Sequence, residues 1–263
     1  EGLIDESIRH SITKMSHLHF TATEEYRNRV IQLGEQPDRV FNVGAAGIDN
    51  IKQLSLLSRD EFEESIRFKL GKRNLLITFH PVTLEETTAE VQFDNLLQAM
   101  DELTDTHLVF TKANADTEGR IINKMIDDYV ATHPDKAVAY TSLGQLRYLS
   151  AMQYMDGVIG NSSSGLLEAP SFRIGTINIG DRQRGRIKAD SVIDCEPLFE
   201  YIRYALVKLF SQPFQKKLKH VINPYGEGGT AEKILEIIRS FPLEDILKKV
   251  FYGLDPSSSR NAE

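Results

Sequence analysis

Cysteine is nearly absent: Cys195 stands alone in a chain of 263 residues. That excludes an internal disulfide framework and a multi-cysteine zinc site, and it suits a reducing, cytoplasmic compartment. No apolar run approaches the ~18 residues that would span a membrane. Positive charge is short, with 31 Lys and Arg against 38 Asp and Glu and a net charge of -7. A general nucleic-acid binder needs an excess of cations against phosphate, so that class is excluded, while a local phosphate pocket is not. Internal repeats and low-complexity tracts are lacking. The chain opens Glu1-Gly2-Leu3-Ile4-Asp5-Glu6, with neither an initiator methionine nor a basic, apolar leader, and reads as starting inside a longer protein. What is present is a globular composition, 41% hydrophobic and 26% charged, enough to bury a core. At ~150 residues per domain, the length admits one large domain or two small ones.

Apolar periodicity predicts an alternating α/β chain. Ile4, Ile8, Ile12 and Met15 recur at helical spacing behind Asp5. His17 to Phe20 reads as a short strand, and Thr23 as the cap of a helix ending at Gly34. Arg39 to Val43 reads as a strand, and Ser58 with Asp60 opens a helix reaching about Leu70. Two-sided apolar runs then predict strands at 75–79, 107–110, 137–140, 157–160 and 175–179. Helices are expected between them, at about 84–103, 118–130, 143–155 and 165–169. The tail predicts helices at 197–210 and from Gln212, one capped by Thr230 and running to Ser240, and a short one near Leu243 to Val250. Strands apolar on both faces and alternating with helices imply a parallel sheet covered on both sides, in a Rossmann-like arrangement. Ligands of such sheets bind beyond the carboxyl ends of the strands.

The residues at those ends are therefore the candidates. Gly160-Asn161-Ser162-Ser163-Ser164-Gly165 lies between a strand and a helix. Small residues let the backbone approach a ligand, and a helix start offers N–H groups, so the stretch reads as a phosphate cradle. An ordinary serine-filled cap is the alternative, which the position at a strand end disfavours. Glu168 can accept hydrogen bonds from ribose hydroxyls or simply favour the helix start. His80, followed by Pro81, can titrate near neutrality beside a diphosphate or serve as a partly buried structural histidine. Asn114 can bind substrate hydroxyls or form an Asx turn. Arg182, Arg184 and Arg186 follow the last strand, and Arg182, nearest to it, is the best placed to clamp phosphate. The Gly-rich loop Asn42 to Asp49 lacks the dinucleotide spacing, so no nicotinamide site is inferred. His17 and His19 find no third ligand, so no metal is expected.

Taken in order, these stretches resemble the hydrolysing UDP-N-acetylglucosamine 2-epimerases. The likeness is carried by Ile4-Asp5-Glu6-Ser7-Ile8-Arg9-His10-Ser11-Ile12-Thr13-Lys14-Met15-Ser16-His17, by Asn42-Val43-Gly44 with Gly47-Ile48-Asp49, and by Thr78-Phe79-His80-Pro81. It continues in Gly160 to Gly165 with Glu168, in Gly180 to Arg186, and in Asn223-Pro224-Tyr225-Gly226 with Gly228.

The resemblance implies the C-terminal half of a two-domain GT-B-type fold, as in UDP-glycosyltransferases and glycogen phosphorylase, lacking most of the N-terminal domain. Residues 1–35 would end that domain and connect it, 36–228 would form the UDP-binding Rossmann-like domain, and 229–263 would be helices returning toward the N-terminal domain. It implies that Asp5, with Glu6 adjacent, and His80 are catalytic. Asn114, Ser162, Ser163, Glu168 and Arg182 would bind the UDP-sugar, and the backbone from Thr141 to Leu143 would border uracil. The implied reaction needs no cofactor: elimination of UDP to a glycal, then hydration to N-acetylmannosamine. A related enzyme acting on a UDP-2,4-diacetamido-2,4,6-trideoxyhexose, for sialic- or legionaminic-type sugars, fits as well. A GT-B glycosyltransferase and a non-catalytic UDP-sugar-binding fragment are the alternatives. The full-length form is expected to be a homodimer or homotetramer, and the 263-residue chain alone to be inactive, since elimination needs groups from both sides of a cleft.

Overall fold

A computed structural model describes residues 4–81, 88–114 and 117–253, without the side chains of residues 4, 5, 117 and 118. The chain divides into two compact units, residues 1–52 with 225–263, and residues 53–224.

The first unit begins with α1 (Ile4–Met15), β1 (His19–Thr21), α2 (Glu24–Gln32) and β2 (Val40–Asn42), and β1 pairs with β2 in parallel. Thr23 caps α2 as expected, its hydroxyl accepting from the Tyr26 N–H at 3.2 Å. The strand expected at His17 begins two residues later, and His19 is turned inward to Glu35, Nε2 to Oε2 2.9 Å. Glu35 is 1% exposed and also meets the ammonium groups of Lys14 at 2.6 Å and Lys249 at 2.7 Å. Burial alone would raise its pKa, but the hydrogen bonds from Lys14, Lys249 and His19 outweigh it and bring the value to about 2. Lys249 donates in addition to the carbonyls of Lys14 at 2.9 Å and Ser16 at 2.5 Å, where the open carboxyl end of α1 needs donors.

Helix α3 (Asp49–Gln53) leads toward the second unit, which holds α4 (Arg59–Ile66), β3 (Arg73–Thr78), α5 (Ala89–Asp101), β4 (Thr106–Thr111) and α6 (Thr117–Thr132). It continues with β5 (Ala137–Tyr140), α7 (Gly144–Met152), β6 (Gly157–Gly160), α8 (Ser164–Leu167), β7 (Gly175–Ile179), β8 (Val192–Cys195), α9 (Phe199–Leu209) and α10 (Gln212–Leu218). The six strands form one parallel sheet in the order β5-β4-β3-β6-β7-β8. This is the doubly wound arrangement, and the Rossmann-like parallel sheet read from the sequence is the one observed. Successive side chains of a strand point to opposite faces. Leu75, Ile77 and Phe79 accordingly join Leu108, Phe110 and Ile159 in one core layer, while Leu76, Val109 and Val158 build the other. Burial on both sides is why these segments read as continuous apolar runs. Among the described residues, no helix is long and apolar enough to cross a membrane.

The last helix, α11 (Thr230–Ser240), belongs again to the first unit. Thr230 is its first residue and not its cap. Gly229, with φ 74°, takes the cap position, and the capping acceptor is Asp49, which receives the N–H groups of Thr230 at 3.0 Å and Ala231 at 2.8 Å. The helix expected near Leu243 to Val250 is a turn, with Leu243, Leu247 and Val250 between 68% and 81% exposed. With no surface to bury it, an apolar period does not hold a helix. Instead, side chains take its carbonyls: Arg39 binds that of Ile246 at 3.2 Å and Gln36 that of Val250 at 3.3 Å. Strand β8 is an addition to the sequence reading. At the sheet edge only Ile193 of its four residues is buried, so no apolar run announces it.

Candidate functional site

Strand order reverses at β3, whose chain neighbour β4 lies on one side and β6 on the other. At such a switch point the connections leave in opposite directions and open a crevice beyond the strand ends. The loops after β3 and β6 meet there.

Their junction is made by Asn161, 1% exposed. Its side-chain oxygen accepts the His80 N–H at 2.7 Å, and its amide nitrogen donates to the His80 carbonyl at 2.7 Å. The backbone of His80 is thus held from both sides, which fixes where the imidazole starts. The Asn161 carbonyl in turn accepts from Arg182 at 3.0 Å and from the buried Gln183 at 2.8 Å, drawing the loop after β7 onto the loop after β6. Gly160 makes the approach possible. At φ 129° it adopts a backbone that side chains rarely tolerate, and a Cβ there would lie 1.9 Å from the Thr78 carbonyl oxygen.

The cradle follows. Ser162 and Ser163 are half-buried, and Ser163, at the cap position of α8, makes no side-chain capping bond. The Ser163 hydroxyl is therefore not consumed as an ordinary cap, whereas the Ser162 hydroxyl accepts the Ser164 N–H in a long bond of 3.4 Å. Helix α8 has four residues and passes into a 3-10 turn at Ala169–Phe172. So short a helix adds little dipole, and the attraction for an anion rests on local N–H and hydroxyl groups and on the Arg182 guanidinium. Glu168 ends the turn half-buried. Burial pushes its carboxyl above the usual range, with the Ser164 side chain opposing.

The remaining candidates are spread along the sheet. Asn114 is exposed after β4, and residues 115 and 116 beside it lie outside the described residues. After β5, Thr141 is exposed, whereas the Leu143 side chain is buried in a core layer and its carbonyl accepts from Arg147 at 2.8 Å. Asp5 lies on α1 in the first unit, and its side chain is outside the described residues. The structure therefore brings together His80, Ser162, Ser163, Glu168 and Arg182 on adjoining strand ends of the second unit. Asn161 and Gln183 tie that group together, and sequence reading did not single them out. The one signal for Asn161 was its place directly after a strand-ending glycine.

Comparison with known proteins gives a consistent result. The family profile for UDP-N-acetylglucosamine 2-epimerase matches residues 1–239. A Campylobacter jejuni protein named GDP/UDP-N,N'-diacetylbacillosamine 2-epimerase (hydrolyzing) is 42% identical over 96% of this chain and 66% of its own length. A Legionella pneumophila protein named UDP-N,N'-diacetylbacillosamine 2-epimerase (hydrolyzing) is 35% identical over 94% of this chain and 64% of its own. The chain thus spans just under two thirds of the length of these curated relatives. Among solved structures, S. aureus MnaA in a co-structure with UDP has the same fold, with a TM-score of 0.71 at 19% identity, covering 92% of this chain and 65% of that one.

Proposed function

The chain belongs to the UDP-N-acetylglucosamine 2-epimerase family, and from that membership we propose that it is the UDP-holding part of a hydrolysing UDP-sugar 2-epimerase. The observation that carries the reading is the clamp at the switch point, where Asn161 fixes His80 and Arg182 beside the serine cradle. In the proposed reaction a base removes the proton at sugar C2 and the C1–O bond to UDP breaks, giving a glycal. Water then adds across the double bond with inversion at C2 and releases the free sugar. Departure of UDP puts negative charge on the diphosphate. The N–H and hydroxyl groups of Ser162 and Ser163 and the Arg182 guanidinium are suited to receive it, with His80 beside them. Glu168 takes the ribose, Asn114 the sugar side, and the backbone from Thr141 to Leu143 the uracil. Asp5 acts in proton transfer with acids of the N-terminal domain.

The names and identities of the two curated relatives favour a UDP-2,4-diacetamido-2,4,6-trideoxyhexose over UDP-N-acetylglucosamine as substrate. We assign residues 1–35 to the end of the N-terminal domain and its connection, 36–228 to the UDP-binding domain, and 229–263 to the returning helices. Together they form the C-terminal half of a GT-B-type enzyme, cytoplasmic and assembling as a homodimer or homotetramer at full length.

Calorimetric titration of the chain with UDP and, separately, with NAD tests the nucleotide reading. Saturable binding of UDP alone supports it, and binding of NAD or of neither refutes it. Release of UDP from UDP-diacetamido-trideoxyhexose by the longer protein, but not by the 263-residue chain, is the corresponding result for catalysis.

A further inference from the structure

A helix on the surface of a globular protein buries one stripe and turns a polar face to water. Helix α9 breaks the second half of that rule. Its inner face, Ile202, Ala205, Leu206 and Leu209, is buried. Its outer face carries Tyr201, Tyr204 and Val207, between 55% and 71% exposed. Single apolar side chains on a surface are ordinary, but three within two turns of one helix form a patch, and tyrosine is a residue that interfaces favour.

Residues four apart form the ridges by which helices pack. The outer ridge of α9 is Glu200, Tyr204 and Lys208, an acid, an aromatic ring and a base. Glu200 meets Arg203 of its own helix at 2.8 Å, and a carboxylate has room for a second cation. Lys208 is exposed and enters no ion pair among the described residues. Reversed end to end, this ridge is its own complement. The partner's Lys208 then falls beside Glu200, the partner's Glu200 beside Lys208, and the two Tyr204 rings meet in the middle. A parallel alignment would set like charge against like. A two-fold interface makes this demand, that one patch match itself after rotation. In the commonest class of helix packing the i±4 ridges of both helices interdigitate at about 50°, which lays two such ridges side by side. Deepening the assembly reading above, on which it rests, we propose that α9 is a contact surface between two copies of this chain, packed antiparallel about a two-fold axis at Tyr204. Stable interfaces bury about 1,200–2,000 Å² in total. A contact centred on one helix lies at the small end of that range, so the dimer forms and dissociates with concentration.

The experiment is sedimentation velocity over a concentration series on the 263-residue chain, on Glu200→Lys, on Lys208→Glu and on the variant carrying both exchanges. We expect wild type to dimerise reversibly. Each single reversal should weaken the dimer at least about tenfold, because it sets like charges together at both symmetric contacts. The double exchange restores opposite charges in reverse order and should recover wild-type association. It also opposes the dipole at both ends of α9, so its recovery does not come from a stabler monomer. Thermal midpoints of the four monomers should agree within a few degrees, since both positions are exposed. As a second readout, Tyr204→Cys in a Cys195→Ser background should form an intermolecular disulfide on mild oxidation. Dimers that ignore the charge variants and yield no such disulfide overturn α9 as the surface and leave assembly itself standing. A chain that stays monomeric at every concentration also overturns the proposal, and the same run on the longer protein then decides the assembly reading separately.

Discussion

Replacing Glu35 by Gln keeps the size of the side chain and removes its charge from a site 1% exposed, where Lys14, Lys249 and His19 converge. The folded-state pKa of about 2, against an ordinary value of 4.5, corresponds to about 2.5 units, or about 3 kcal/mol of charge-linked stability at ~1.4 kcal/mol per unit. Lys14 is 45% exposed and screened by water, so about 2–3 kcal/mol is the working figure. A depressed carboxylate pKa contributes stability that is fully present above the unfolded value. That contribution fades as pH falls from about 4.5 to about 2. Burial also lowers the pKa of His19 below 6.5, which favours unfolding in acid, so the comparison between the two proteins is the quantity to follow. Urea unfolding at a series of pH values should give a gap of about 2–3 kcal/mol near pH 7, closing toward zero near pH 2. A gap that stays constant with pH would refute the electrostatic account and assign the loss to packing.

At the candidate site, Glu168→Ala should weaken UDP binding at least about tenfold by calorimetry while leaving the thermal midpoint unchanged. Equal affinity would remove Glu168 from the ribose contact. Asn161→Ala leaves the backbone N–H and carbonyl of His80 without their partners and should cost about 2–4 kcal/mol in urea unfolding. A loss below about 1 kcal/mol would mean that water replaces both bonds. Gly160→Ala forces a Cβ against the Thr78 carbonyl at a positive φ. It should abolish the cooperative unfolding transition seen by circular dichroism, and a variant melting within a few degrees of wild type would contradict the geometry.

The sheet was legible because each of its central strands is buried on both faces. Leu75 to Phe79 and Gly157 to Gly160 announce themselves by uninterrupted apolar character and small residues. The edge strand β8 has one buried residue and left no such trace. The period at Leu243, Leu247 and Val250 pointed to a helix, but those side chains have nothing to bury against in the structure described, and the backbone turns instead. At the site, the positions that end strands were readable from the alternation of elements. Asn161 was not singled out, because its meaning lies in bonds to His80, 81 residues earlier. Such a pairing exists only once β3 and β6 lie side by side, and no local pattern encodes it.

The ammonium of Lys249 has a consequence for how the polypeptide matures on the ribosome. Residues 53–224 are continuous, so their sheet can close while synthesis proceeds. The other unit is made of two segments, and the groups that satisfy Glu35 and the carbonyls of Lys14 and Ser16 come from its second segment. Until residue 249 emerges, the nascent chain carries a charged carboxylate at position 35 without one of its cations and a helix end without its donor. The elements made first are therefore completed last. A translation product stopped before position 249 would keep the candidate-site residues of the second unit while leaving the carboxyl end of α1 without the Lys249 donor.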